Sequence, residues 1–305
     1  MISGQIPPAA TIGEHAVGVL AALASAASWA VGTLLFKNIG SEFSASAMTL
    51  LKSFFSILLL AIVLVFVGWT QVPSTSFWWL ILSGLIGISV GDTCFFAALQ
   101  RLAVYQLIVL MMLAPAITVL MAILFLGEMP GPVAWLGILL VLAGVSLTLA
   151  ADLRRDDRSE GTPMGIILGL AAIVCMGGSV VIAKVGLEFV PALEATFLRM
   201  TAGFVGMFVV ALAKRQITGW LEPLRNSGLR WRFAATVTVV TFGGFWLSLF
   251  AVKRLEVSIA NTLLATEPLF ALPLSIVWLH ERPVALAWSG AALAFPGALL
   301  LAFSA

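Results

Sequence analysis

The residue with the clearest chemical potential is Glu267, which lies within a long apolar run directly before Pro268. An ionisable group near the centre of a bilayer costs about 3 kcal/mol or more, so it normally faces a cavity or a partner. Because proline lacks a backbone N–H, it frees a carbonyl one turn earlier and should loosen the helix there. We predict that Glu267 binds a proton or a substrate amine; the alternative is a protonated or ion-paired structural glutamate.

Three further charged residues, Asp92, Lys52 and Arg199, also lie inside apolar runs. Asp92 is predicted either to bind substrate or a cation, or to be a structural acid held by its neighbours. Lys52 and Arg199 lie about 11 Å into their runs, at 1.5 Å per residue. Each either reaches the interface or forms an ion pair, Arg199 with Glu194 for instance, or meets an anionic substrate group.

Other side chains are candidates for lining a cavity, although an aromatic residue in a membrane helix more commonly serves in packing. These further candidates are Asn261, Gln106, Tyr105, Trp246, Trp29 and Phe96. Asn261 belongs to a polar arc with Ser258, Thr262 and Thr266. We expect this arc and the neighbouring face that carries Glu267 to wall a polar cavity.

A second group of residues is predicted to be structural. An acid before a helix interacts favourably with the helix N-terminus, and proline suits the first helical turn. Proline inside an apolar run marks a local break. These rules assign structural helix-turn roles to Glu128, Pro130, Glu281, Pro283, Pro115 and Pro268.

No cofactor, metal site or enzyme activity is expected. Cys94 and Cys175 lie in separate apolar runs without a CxxC spacing, and the two histidines are far apart. The sequence has no nucleotide-binding loop, no hydrolase motif and no potassium-filter motif. It also has no basic block of the kind that binds nucleic acid.

The elements that carry these residues are predicted to be membrane helices. The 305-residue chain is 61% hydrophobic and 10% charged, whereas soluble domains carry about 25% charged residues. Runs of about 20 apolar residues match the bilayer core, and only helices satisfy their backbone groups within each run. The ten predicted spans are roughly 16–36, 44–67, 77–98, 104–126, 131–150, 163–183, 192–213, 233–252, 257–279 and 283–303. The predicted fold class is all-α integral membrane.

The chain repeats itself. With an offset of 153 residues, 91–144 and 244–297 share 16 identities in 54 positions. Earlier in each half the offset is 147, which pairs Lys52 with Arg199. Because each copy has an odd number of helices, the second copy enters the membrane the other way up. The ten helices are therefore predicted to form two inverted five-helix repeats, as in many secondary transporters.

This repeat divides the chain into an N-terminal tail (1–15), a first five-helix repeat (16–150), a linker (151–162) and a second five-helix repeat (163–305). Lysine and arginine concentrate in the joins on one side of the membrane, which favours termini outside. The lipid bilayer and a small-molecule substrate are the expected partners. The sequence does not determine the oligomeric state and is compatible with a monomer.

A family resemblance rests on two related segments. They are GDTCFFAALQRLAVYQLIVLMMLAPAITVLMAILFLGEMP (91–130) and LFAVKRLEVSIANTLLATEPLFALPLSIVWLHERP (249–283), each ending in an L-x-E-x-P turn. They resemble the ten-helix EamA-type branch of the drug/metabolite transporter superfamily, and the resemblance covers about 16 to 303. It implies a bacterial inner-membrane carrier, often an exporter of amino acids or other small metabolites. Ala114 stands in the first half where Glu267 stands in the second, so a role for that carboxylate belongs to one half only.

The repeat and the resemblance together predict a secondary transporter that works by alternating access. The expected activity is export of amino acids or related amphipathic solutes, with protons as the candidate coupling ion. Two alternatives stay open. One is an uncoupled facilitator of the same fold, and the other is a membrane protein that handles lipid or binds partners without transport.

Overall fold

The structure is a computed structural model of the chain. It describes residues 12–39, 42–102, 110–111, 113–153, 163–267, 269–270, 274 and 285–303. Six of the helices in these ranges are long and apolar enough to cross a membrane, and three shorter apolar helical segments accompany them. The predicted all-α membrane fold is confirmed.

The described helices follow the ten predicted spans, and we label them α1 to α10 in that order. They are α1 Ile12–Ile39, α2 Ala45–Val67, α3 Ser74–Leu99, α4 Leu113–Met121 continued by Ala122–Leu126, α5 Pro132–Leu153, α6 Pro163–Gly186, α7 Ala192–Ala213, α8 Ser227–Arg254, α9 Val257–Leu264 and α10 Ala285–Ala302. A connector, formed by Ile217–Leu221 and Glu222–Arg225, joins α7 to α8.

Two helices differ from their predicted spans for identifiable reasons. α8 begins six residues before the predicted 233 because the Asn226 side chain accepts hydrogen bonds from the backbone of Gly228 and Leu229 and so caps the helix. α9 ends at Leu264, and Ala265 and Thr266 form a turn. The sequence places a proline four residues after Leu264, where the missing N–H of proline weakens a helix.

The two halves pack through equivalent helices. α2 lies along α7, and α5 lies along α10. α1 contacts α8 and α9, while its counterpart α6 contacts α3 and α4. Gly144 of α5 allows close approach, because a Cβ there would meet the α10 backbone at 2.5 Å. This exchanged pairing is the pattern that a two-fold relation between halves produces.

α3 and α8 each contain a π-helical segment, Leu85–Asp92 and Val239–Trp246. The two segments occupy equivalent places in the repeat, and each includes a matched glycine, Gly91 or Gly244. Ser25 of α1 donates a 2.8 Å hydrogen bond to the Gly244 carbonyl, which gives that group a partner. π-Helical segments are rare and occur frequently at functional sites. Both segments therefore indicate a functional site in the middle of the bundle.

The ends of the helices form two opposite faces of the bundle. The terminal face contains the start of α1 and the turns 68–73, 127–131, 187–191 and 255–256. The opposite face contains 42–44, 100–102 and the connector. Contacts between distant chain segments hold the terminal face together; for example, His15 Nε2 lies 2.9 Å from the Leu301 carbonyl oxygen.

Candidate functional site

Three of the predicted charged residues meet in the middle of the bundle. Lys52 of α2 and Asp92 of α3 form an ion pair, and Arg199 of α7 lies close enough to attract Asp92 electrostatically. Their exposed fractions are 2%, 4% and 6%, so lipid and bulk water are both excluded. Neither cation extends to the membrane interface as the snorkelling alternative required.

The predicted alternative pairing of Arg199 with Glu194 does not form. Glu194 instead accepts hydrogen bonds of 2.8 Å from the backbone N–H and the hydroxyl of Thr70 on the terminal face. Arg199 Nη2 donates to the Ser179 hydroxyl of α6 at 3.1 Å. Its Nε is buried and has no hydrogen-bond acceptor among the described residues.

Glycines of α3 bring these charges together. A Cβ at Gly84 would collide with the Arg199 backbone carbonyl, and a Cβ at Gly87 would collide with the Ser179 hydroxyl. Small residues permit such close approach between membrane helices. The contact of α3 with α6 and α7 therefore places Asp92 beside cations of both halves.

An aromatic pair borders the charged cluster. Lys52 Nζ lies 4.3 Å from the ring centroid of Phe245, within the range of a cation–π interaction. Trp29 of α1 meets the same ring edge-on at 4.8 Å. The Trp29 ring is partly buried, and Phe245 contacts both Trp29 and Lys52.

The other two described aromatic candidates serve in packing. Phe96 is buried, and its ring contacts those of Phe36 and Phe95 edge-on. Trp246 is partly buried against a hydrophobic cluster and contacts the Phe250 ring. In this structure these contacts fit the packing alternative better than a cavity lining.

Glu267 contacts the first half of the chain. Its Oε1 accepts a 2.8 Å hydrogen bond from the Thr33 hydroxyl of α1. Before it, the Thr266 N–H bonds to the Leu263 carbonyl in a tight turn that follows the end of α9. The loosened turn that Pro268 predicts is thus present on its N-terminal side, and it orients the carboxylate towards α1.

The position of Thr33 shows that this contact is interior. Leu20 and Ala24 are exposed on α1 and mark the side that faces out of the bundle. Thr33 follows Ala24 by nine residues, about 180° around a helix of 3.6 residues per turn. Thr33 is itself exposed, so its side of α1 borders an opening inside the bundle that Glu267 also faces.

The hydroxyl groups of the predicted polar arc of α9 are buried and hydrogen-bonded within the protein. Thr262 Oγ1 donates to the Ser258 carbonyl at 2.7 Å, and Thr266 Oγ1 donates to the Leu263 carbonyl at 2.7 Å. Threonine hydroxyls commonly bond within their own helix in this way. Asn261 is partly buried on the same helix, and its carbonyl accepts the N–H of Ala265.

Glu128 occupies a helix N-terminus, although not the one that the sequence indicates. Its carboxylate accepts from Val257 N at 2.6 Å, Ser258 N at 3.0 Å and Ser258 Oγ at 2.6 Å. These donors begin α9 of the second half, whereas the following helix in the chain is α5. Glu128 therefore joins the halves at the terminal face, in a turn where Pro130 is buried.

Lysines provide further bonds near this face. Lys184 Nζ donates to the carbonyls of Val252 and Leu255 at 2.6 and 2.5 Å, and so satisfies the last turn of α8. Lys253 Nζ donates to the Val190 carbonyl at 2.7 Å. The carbonyls at a helix C-terminus attract a cation, which accounts for the contact of Lys184 with α8.

Several predicted residues cannot be placed. Gln106, Tyr105, Pro268, Glu281 and Pro283 lie outside the described residues, and the side chain of Pro115 does too. Among the described residues, no group of three or more His, Cys, Asp or Glu side chains could hold a metal ion. A cleft of about 330 Å³ beside the connector, lined by Glu42, Ser44 and Trp220 among others, lies at the opposite face and apart from the midplane charges.

Fold and site together define a helical, multi-pass membrane protein whose two related halves enclose a polar centre. The EamA-like transporter family model matches residues 16–150 and again residues 163–303. The chain belongs to this family of drug/metabolite-type membrane transporters of small solutes, and the predicted resemblance is confirmed.

The fold is shared with solved structures. One crystal structure of a protein superposes on this chain with a TM-score of 0.69 and 19% sequence identity. The match covers 94% of this chain and 95% of the chain in that crystal structure. That likeness shows the fold alone. None of the curated proteins matches the sequence significantly.

Sequence reasoning did not find Thr33, Ser179 or Phe245 as members of the site. Threonine and serine are common in apolar helices, and phenylalanine is the usual packing residue of a membrane interior. A signal for Phe245 was present, because the repeat aligns it with Asp92. Nothing in the sequence pattern indicated the partners of Thr33 or Ser179.

Proposed function

We propose that this protein exports small amphipathic solutes, amino acids among them, across the bacterial inner membrane by alternating access. The two five-helix halves are the moving parts, and the solute occupies the interior opening bordered by α1 and α9. Protons are the proposed coupling ion, and Glu267 is the group that exchanges them. The proposed orientation places the terminal face outside, as the distribution of Lys and Arg favours.

The contact between Glu267 and Thr33 carries this proposal. It joins the second half to the first at the interior side of α1, where a relative movement of the halves must change it. A carboxylate between two moving bundles gains or loses a hydrogen-bond partner as they move, so its protonation is coupled to conformation. The bonds of Glu128 to α9 join the two halves at the terminal face. This conformation of the bundle is therefore closed at the terminal face.

The test is transport by the purified protein in proteoliposomes. We expect counterflow of at least one radiolabelled amino acid and its accumulation when a pH gradient is imposed. Glu267→Gln preserves the volume and the acceptor oxygen but cannot release a proton. This variant should lose pH-driven accumulation, and Thr33→Val should retain it with an altered rate.

Three results would decide against parts of the proposal. Counterflow without pH-driven accumulation in the wild-type protein would select an uncoupled facilitator. Unchanged rate and pH dependence in Glu267→Gln would remove the proton role of that residue. No counterflow of any amino acid or small organic acid would favour the alternative of a lipid-handling or partner-binding protein.

A further inference from the structure

The buried cluster in the middle of the bundle has more positive than negative charge. Lys52 and Arg199 are cations and Asp92 is the single carboxylate among them. All three are more than nine-tenths buried. A buried charge without compensation is strongly unfavourable, so this arrangement leaves one cation in need of an anionic partner.

The repeat explains why the charges do not balance. Lys52 and Arg199 are equivalent positions of the two halves, and Asp92 of the first half is equivalent to Phe245 of the second. In the first half the lysine pairs with the aspartate beside it. In the second half a phenylalanine occupies the place of that acid, so Arg199 lacks the carboxylate that its counterpart has.

The unused hydrogen-bonding capacity is on the same residue. Arg199 Nε is buried without an acceptor among the described residues, and Nη2 has only the neutral Ser179 hydroxyl at 3.1 Å. A guanidinium presents its N–H groups as a planar fork that matches the two oxygens of a carboxylate. The missing partner therefore has a definite chemistry, which is a single planar anionic group.

We propose that Arg199, assisted by Lys52, binds the carboxylate of the transported solute. This assignment rests on the proposed transport function and names the substrate class of its central site. Phe245 covers Lys52 and is itself contacted by Trp29 of α1, so Phe245 must turn aside for the carboxylate to reach Lys52. Thr33 lies one helical turn from Trp29, which connects the subsite to the opening that Glu267 faces.

The first test is binding to the purified wild-type protein in detergent. The probes are L-alanine, L-leucine and L-phenylalanine, each compared with its own amide, and sodium chloride serves as the inorganic anion. Free carboxylates should raise the thermal midpoint at concentrations at least about tenfold lower than the amides require, since the amide lacks the charge that Arg199 needs. Equal effects of acid and amide would overturn the proposal. So would chloride acting as strongly as the carboxylates, which would make this an inorganic-anion site.

Variants locate the effect. Arg199→Gln should abolish the preference for acids over amides, and Arg199→Lys, which keeps the charge but not the fork, should retain part of it. Phe245→Asp supplies the carboxylate that the repeat omits, so it should abolish the preference in a protein that still folds. Arg254→Gln, which removes a cation stacked on Phe250 at the end of α8, is the control and should behave as wild type. An undiminished preference in Phe245→Asp would refute the assignment.

Failure of this inference and failure of the transport function give different results. Acid-selective binding without counterflow in liposomes would leave the subsite intact and remove the transport proposal. Counterflow that proceeds equally with acids and amides would do the reverse. Each readout is made on the complete chain.

Discussion

Replacing Glu128 with glutamine should open the terminal face. The carboxylate accepts three hydrogen bonds from the first residues of α9. In Glu128→Gln the charge disappears, and an amide NH₂ group takes the place of one oxygen. If Oε2 is the atom replaced, the bond from the Ser258 backbone N–H is lost because a donor then faces a donor, and the bond to the Ser258 hydroxyl becomes a neutral one in which the hydroxyl accepts.

The expected size of the effect follows from those bonds. A hydrogen bond to a charged group contributes about 1.5–3 kcal/mol, and removal of a helix cap costs about 0.5–2 kcal/mol. The loss should be about 2 kcal/mol or more in the conformation where Glu128 and α9 touch, and about 1.4 kcal/mol corresponds to tenfold in an equilibrium. Because an open terminal face lacks these bonds, its population should rise roughly 30-fold.

Thiol labelling measures this population. Val257 is fully buried beside Glu128, so Val257→Cys reports opening when Cys94 and Cys175 are replaced by serine. The Glu128→Gln variant should react with a polar thiol reagent at least about tenfold faster than its parent. Ser258→Ala, which removes one of the three bonds, should give an intermediate rate.

The matched control is Glu188→Gln, which removes an exposed acid from the same face. Its labelling rate should equal that of the parent. Equal rates in parent and Glu128→Gln would refute the role of the Glu128 bonds in closing this face. An equal increase in Glu188→Gln would show that the loss of negative charge, and not the cap on α9, is responsible.

Three further predictions concern stability in detergent. Asp92→Asn should cost about 3–5 kcal/mol because it leaves Lys52 and Arg199 buried without their shared carboxylate, and adding Lys52→Gln should restore part of the loss in a thermal double-mutant cycle. Gly144→Leu should lower the thermal midpoint by overpacking α5 against α10, which costs about 1–3 kcal/mol or more. Burial, followed by the neighbouring Glu128 carboxylate, raises the pKa of Glu256 at the terminal face. The stability that its proton contributes is present below the ordinary glutamate pKa of about 4.3 and is lost as pH rises through the raised value. A Glu256→Gln variant should lack that decline between pH 4 and 8.

Each of these predictions has a contrary outcome. A double variant no more stable than Asp92→Asn would show that the two charges act independently. Gly144→Leu with wild-type stability would contradict the close contact of α5 and α10. An identical pH dependence of the thermal midpoint in wild type and Glu256→Gln would assign the titration to another group.

Much of the fold could be predicted because membrane helices are specified locally. An apolar run long enough to cross the bilayer must form a helix whatever its neighbours are. The span of α7 was therefore predicted to the residue, and the start of α8 was missed because an asparagine cap extends the helix there. The repeat was equally visible, since it rests on residue identities alone.

The charged centre was predicted only in part. The sequence predicts burial of Lys52, Asp92, Arg199 and Glu267, because the depth of a residue in the membrane depends only on its position along its apolar run. The residues that they contact depend instead on how each helix is rotated and shifted along its axis relative to its neighbours. In a membrane protein the faces towards lipid and towards protein are both apolar, so hydrophobic periodicity does not report which side of a helix faces its neighbours.

The sequence by itself determined that the chain is a bundle of membrane helices in two related halves, with costly charges in its interior. Only the tertiary structure decided that Lys52 forms an ion pair with Asp92, that Glu128 caps α9 of the other half, and that Thr33 donates a hydrogen bond to Glu267. It also decided that Arg199 is left with a neutral serine. The physical reason is distance: each of these contacts joins helices far apart in the chain, and only their packing brings the side chains within bonding range.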